Sequence, residues 1–211
     1  MEIEKILKLM KKQSSDAPVW KINKIANTKF KIAIFAILSS RTKDEITLKV
    51  CKKLFKKIKN VKDLIKIDKK ELEKLIYPVG FYKVKTKILK NFAIELKRKF
   101  NSKIPSKLED LISLPGIGIK TAKVILSEAF KKPYIAVDTH VLRISNRLGL
   151  INTKDIKEAN EILEKIIPEN LKIEFNKIFV AFGQTICKPK NPKCNECLIK
   201  DFCKYYKKIK N

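Results

Sequence analysis

The residues best equipped for chemistry lie between Leu114 and Asp138. Leu114-Pro115-Gly116-Ile117-Gly118-Ile119-Lys120-Thr121-Ala122 sets a lysine just behind a Gly-x-Gly turn, and Asp138 of Val137-Asp138-Thr139-His140 follows eighteen residues later. A lysine amine attacks electrophilic carbon only as the free base, and an ordinary lysine is about 0.1% neutral at physiological pH. Its surroundings must therefore favour the neutral form. A carboxylate can stabilise positive charge at the attacked carbon or assist proton transfer. Each residue also has a plain reading: a solvated lysine in a chain with 49 lysines and arginines, and an aspartate capping a helix.

The elements that would position them can be read from periodicity. Ser106 and Glu109 stand at capping-box spacing before a short helix, about 107–113, with Leu108, Leu111 and Ile112 on its apolar face. Pro115 and the two glycines stop it, and glycine tolerates the positive φ of a tight hairpin. A second helix runs from Ile119 to about Phe130, with Ile119, Ala122, Ile125, Leu126 and Ala129 as its buried stripe. Free N–H groups and the positive dipole end at its start suit a phosphate. Asp138 follows the short apolar approach Tyr134-Ile135-Ala136-Val137 and precedes the periodic Val141, Leu142, Ile144 and Leu148, so it also reads as an N-cap.

Cys187, Cys194, Cys197 and Cys203 form C-x6-C-x2-C-x5-C in a lysine-rich tail. Four thiols this close suit a tetrahedral metal or a cubane cluster better than disulfides, and spacing alone does not choose zinc over [4Fe–4S]. Cys51 shares a helical face with Val50, Leu54, Phe55 and Ile58 and reads as core. His140 is the sole histidine, which removes His-based metal sites and leaves it to orient structure near Asp138.

A formal charge of +27 points to a polyanion partner bound in a salt-sensitive way. An AT-rich genome or a hot habitat would also enrich lysine. The longest apolar run, Ile32 to Leu38, is too short to span a bilayer. With no signal peptide, a cytoplasmic, nucleoid-associated chain without a membrane partner is expected. The 211 residues, 45% hydrophobic, can fill one large core or two modest ones. Helical periodicity covers roughly 2–12, 28–40, 44–58, 69–76, 83–99, 107–113, 119–130, 139–148, 155–167 and 171–186, so the expected fold class is all-α, with 134–137 as an extended linker.

The string from Leu114 to Asp138, with the cysteine spacing, resembles the endonuclease III family of helix-hairpin-helix DNA glycosylases along nearly the whole chain. The resemblance implies a central helical domain at 22–133 holding the hairpin (about 107–130), and a discontinuous one, 1–21 plus 134–211, carrying a [4Fe–4S] cluster at 187–203. It implies that the substrate cleft lies between them, with Lys120 and Asp138 on opposite walls. Lys120 would attack the sugar C1′ with support from Asp138, and β-elimination would cut 3′ to the abasic site. Gly116, Gly118, Ile119, Thr121 and Lys123 would hold the DNA backbone, and Lys188, Lys190 and Lys193 would present cations from the cluster loop. The loops Leu38-Ser39-Ser40-Arg41-Thr42-Lys43-Asp44 and Val79-Gly80-Phe81-Tyr82 match the family's hole-filling and strand-separating segments, with Arg41 where glutamine is common. Phe81 could wedge between bases or pack as a helix-terminal aromatic; Asp44 could cap a helix. The expected substrate is duplex DNA bearing oxidised pyrimidines or abasic sites, bound by a monomer. The rivals are a same-fold glycosylase for mismatched or other damaged bases and a non-catalytic iron–sulfur DNA-binding protein.

Overall fold

A computed structural model describes residues 2–210. Among them there are thirteen α-helices, two short 3₁₀ turns and no strand. The chain divides into two compact units, Lys21–Lys132 and the pair Met1–Trp20 with Pro133–Asn211.

The continuous unit holds α2 (Ile22–Ile25), α3 (Lys29–Ser39), α4 (Asp44–Lys57), α5 (Val61–Lys66), α6 (Lys69–Ile76), α7 (Tyr82–Phe100), α8 (Leu108–Ile112) and α9 (Ile119–Phe130). Helix α3 is its centre. Phe30 and every residue from Ala33 to Leu38 are buried, and α4, α7 and α9 pack around the helix. Such an apolar surface can only be an interior helix. Phe92, Leu89 and Leu96 of α7 are wholly buried, each stabilising the unit by about 1.5–3 kcal/mol. Helix α5 lacks a long apolar stripe and escapes periodicity, but its Asn60–Asp63 capping box is complete. Lysines also serve as caps: Lys90 Nζ donates to the carbonyls of Leu64, Ile65 and Ile67 at the end of α5. Cys51 is fully buried in α4, and burial pushes its thiol pKa up.

The discontinuous unit holds α1 (Ile3–Gln13), α10 (Thr139–Leu148), α11 (Ile156–Ile166), α12 (Glu169–Thr185) and α13 (Lys204–Lys210). Helices α1 and α10 pack on α12, whose Phe175, Phe179 and Phe182 fill the core, the first two stacked with ring centroids 4.1 Å apart. Residues 134–137 are extended, as their sequence suggests. The Ala136 N–H donates to Asn176 Oδ1 at 2.8 Å, and Asn176 Nδ2 donates back to the Ala136 carbonyl. One side-chain amide thus supplies the pairing that a neighbouring strand would otherwise give.

Candidate active site

The hairpin is built from α8, α9 and the turn between them. Ser106 is not the α8 cap: the helix begins one residue later, with Lys107 at N-cap and no side-chain cap bond. The Ser106 carbonyl is instead taken by Lys132 Nζ at 2.6 Å. The two glycines do different jobs. Gly116 has φ +79°, and a Cβ there would lie 2.2 Å from the Ile88 methyl Cγ2, so both backbone and space demand glycine. Gly118 has φ −88°, an ordinary backbone, and a Cβ there would meet nothing within 4 Å. It is the N-cap of α9, with no side-chain cap bond, and opens the helix start to the outside.

Helix α9 starts and ends where periodicity puts it, but its stripe is rotated. Ile119 is 62% exposed, whereas Ala122, Ile125, Leu126 and Ser127 are buried. Lys120 lies exposed beside Ile119 in the first turn, while Thr121 and Lys123 are half-buried.

Asp138 lies in the other unit, half-buried at the N-cap of α10, where its Oδ1 accepts from the N–H groups of His140 (2.9 Å) and Val141 (2.8 Å). The His140 ring packs on Gly183, where a Cβ would stand 2.3 Å from Nδ1, and contacts Arg143 NH2 at 3.2 Å.

Arg41 and Phe81 share the continuous unit with Lys120. Both are exposed and both have left-handed backbones, at φ +53° and +58°. The Arg41 guanidinium lies 5.7 Å from the Phe81 ring centroid. Asp44 is the first residue of α4 rather than its cap, which is Lys43. An acid there still suits the helix dipole.

Cys187, Cys194, Cys197 and Cys203 form no disulfide and line one hollow, walled by Ile144, Leu148, Phe182 and Ile199. Lys188, Lys190 and Lys193 are exposed on the first cysteine loop. Burial pushes Cys197 up to about 11 and raises Cys194 and Cys203 as well. Partly buried thiols whose ionised form is disfavoured are poor surface nucleophiles but good ligands for a metal that deprotonates them. Among the described residues, no three His, Cys, Asp or Glu side chains converge to hold a single ion. Four sulfurs around a hollow fit a multi-iron cluster.

The sequence alone did not single out Arg143 and Arg147. Arg143 donates to the Cys187 carbonyl from Nε and NH2, and Arg147 to Cys187 Sγ and to the Lys188 and Pro189 carbonyls. A visible signal was their i, i+4 spacing one helix face after Asp138, in a chain with only four arginines. Nor did the sequence single out Lys85, which is buried in α7 and donates to the Leu38 carbonyl and to Thr42 Oγ1.

Comparison with known proteins agrees with this geometry. Residues 34–169 match the HhH-GPD superfamily of base excision DNA repair proteins, and residues 187–203 match the iron–sulfur binding domain of endonuclease III. Endonuclease III of Thermotoga maritima is 43% identical over 85% of this chain and 84% of its own length. A non-covalent endonuclease III–DNA complex superposes with a TM-score of 0.87 at 34% identity, covering 99% of this chain and 97% of that one. A trapped endonuclease III–DNA covalent intermediate, also at 0.87 and 34%, covers 100% and 98%. DNA is thus the partner, a [4Fe–4S] cluster the cofactor, and no helix among the described residues is long and apolar enough to cross a membrane. The hairpin, the cysteine spacing and these likenesses agree: the chain belongs to the endonuclease III family, bifunctional DNA glycosylases and AP lyases of base excision repair.

Proposed function

We propose that this chain excises oxidised pyrimidines from duplex DNA and nicks the resulting abasic site, acting as a monomer with Lys120 as nucleophile. The observation that carries the residue assignment is an exposed lysine in the first turn of α9, beside an uncapped and sterically open Gly118. In this reading the Gly116–Gly118 hairpin and the first turn of α9, with Ile119, Thr121 and Lys123, grip a phosphate through backbone N–H groups and positive field. Lys188, Lys190 and Lys193 add cations along the backbone.

The neutral Lys120 amine attacks C1′, its lone pair forming the C–N bond as the glycosidic bond breaks and the base departs with that electron pair. Asp138 stabilises the positive charge that grows at the sugar. Ring opening gives a Schiff base, and loss of a C2′ proton expels the 3′ phosphate. Cys187, Cys194, Cys197 and Cys203 ligate the cluster, which cross-links the 187–203 loop and takes no part in these steps. A base must leave the stack to expose C1′, and Arg41 and Phe81 occupy the space it vacates. Arginine where the family commonly has glutamine offers more donors to an orphaned base and shifts opposite-base preference.

Borohydride tests the reading. Duplexes carrying thymine glycol or an abasic site should each yield a covalent adduct with the native chain and none with Lys120→Ala. Absence of an adduct on both substrates, or an adduct surviving in that variant, overturns it. Comparing thymine glycol with mismatched bases tests the pyrimidine preference.

A further inference from the structure

The two loops assigned to the vacated space are held together by a buried side chain with no place in the chemistry. Lys85 stands one turn into α7 and is 6% exposed. Its Nζ donates to the Leu38 carbonyl at 2.7 Å, to the Ser40 carbonyl, and to Thr42 Oγ1 at 3.2 Å. Leu38 lies in the last turn of α3, whose carbonyls have no intrahelical donor, so the ammonium caps that helix. Thr42 Oγ1 also accepts the Gly80 N–H at 3.1 Å. One cation and one hydroxyl thus tie residues 38–42 to residues 80–85. Gly80 makes the closeness possible, since a Cβ there would stand 2.9 Å from the Arg41 carbonyl.

These ties lie beside a strained pair. Arg41 and Phe81 both adopt left-handed backbone conformations, which non-glycine residues keep only where their surroundings over-determine them. Both side chains point outward, Phe81 61% exposed. Strain and exposure at one place, braced from below by a desolvated lysine, is the pattern of a pre-organised contact rather than of a core.

We infer that Lys85, acting through Thr42, is the positioning residue that holds Arg41 and Phe81 ready to fill the space left by an extruded nucleotide. This rests on the assignment of those two residues to that space. Lys85 touches no DNA in this scheme; it sets how much of the loop pair is competent before DNA arrives, and binding weakens in proportion to the competent fraction it loses.

The test uses a duplex with a tetrahydrofuran abasic analogue, which cannot form a Schiff base, and 2-aminopurine opposite it. Filling of the gap changes 2-aminopurine emission, and titration reads the affinity. Lys85→Met and Thr42→Val should each lose most of the emission change and bind about tenfold more weakly, as should Arg41→Ala and Phe81→Ala. Lys85→Met combined with Phe81→Ala should be little worse than either alone. Thermal melting checks folding, and Thr42→Val, a near-isosteric change at a half-buried site, carries the test if Lys85→Met does not fold. Loss of signal in the Arg41 and Phe81 variants with native signal in both Lys85→Met and Thr42→Val overturns the positioning role alone. Native signal in Arg41→Ala and Phe81→Ala overturns the loop assignment and the inference with it.

Discussion

The Arg147 guanidinium donates to the Cys187 sulfur at 3.2 Å, and the Cys203 thiol donates back to the Arg147 carbonyl at 3.3 Å. One residue of α10 therefore touches the first and last cysteines of the cluster loop, while its guanidinium also lies 4.6 Å from the Tyr205 ring centroid. Arg147→Met should keep the stem and lose the donors. A loss of about 2–3 kcal/mol, or roughly 5–10 °C in Tm, is expected, with fewer irons per chain and faster bleaching in air. Native iron content and Tm would show that the cysteine loop holds itself.

The observed cap and the proposed charge role of Asp138 can be separated by substitution. Asp138→Asn preserves an oxygen for the His140 and Val141 N–H groups, so stability should change by less than about 0.5 kcal/mol. Asp138→Ala removes the cap and should cost about 1 kcal/mol. Base excision should fall by about a hundredfold or more in both, since both lose the charge. Single-turnover rates beside thermal melts decide it; an active Asp138→Asn would leave only the cap.

The hairpin glycines should respond in opposite ways. Gly116→Ala meets both a positive φ and the Ile88 methyl and should destabilise the chain by about 2–4 kcal/mol. Gly118→Ala has ordinary φ and open space and should melt within about 1 kcal/mol of the native chain. Its DNA affinity should nevertheless drop about tenfold if the backbone approaches a phosphate there. Urea denaturation and a binding titration on the two variants give the answer, and native affinity in Gly118→Ala would remove the phosphate from that spot.

Burial lowers the Lys85 pKa to about 8, against an ordinary 10.5. Between those values the unfolded chain binds the proton and the folded chain does not, so this group's contribution to stability rises with pH across that window. As pH falls through 8 the cost of burying the charge returns in full. Native stability minus that of Lys85→Met should therefore climb from pH 8 to 10. Taking the difference removes the opposite drift from buried thiols such as Cys51. A flat difference would mean Lys85 titrates as it does in water.

Much of the chain follows from local pattern. The bounds of α6, α9 and α10 coincide with those expected from periodicity, because each has a strong amphipathic stripe and clear stop signals. Helices α2, α5 and α13, four to seven residues long, develop too little period to be read; α8 is as short, but the Pro-Gly stop behind it marks it. Lys85 was invisible for another reason: in a helix with seven lysines and arginines, a buried one reads like its solvated neighbours.

The sequence by itself determined the all-α class, the capped aspartate, the lysine behind the glycines and the four-cysteine spacing. These are properties of neighbours along the chain, set by backbone sterics, hydrogen-bond reach and helical period. Tertiary structure alone decided that Ile119 faces outward, that of the two hairpin glycines Gly116 takes the left-handed backbone and Gly118 does not, and that Lys85 leaves water beside Arg41 and Phe81. Those outcomes depend on which elements meet in space, and the acceptors for Lys85 lie more than forty residues away along the chain.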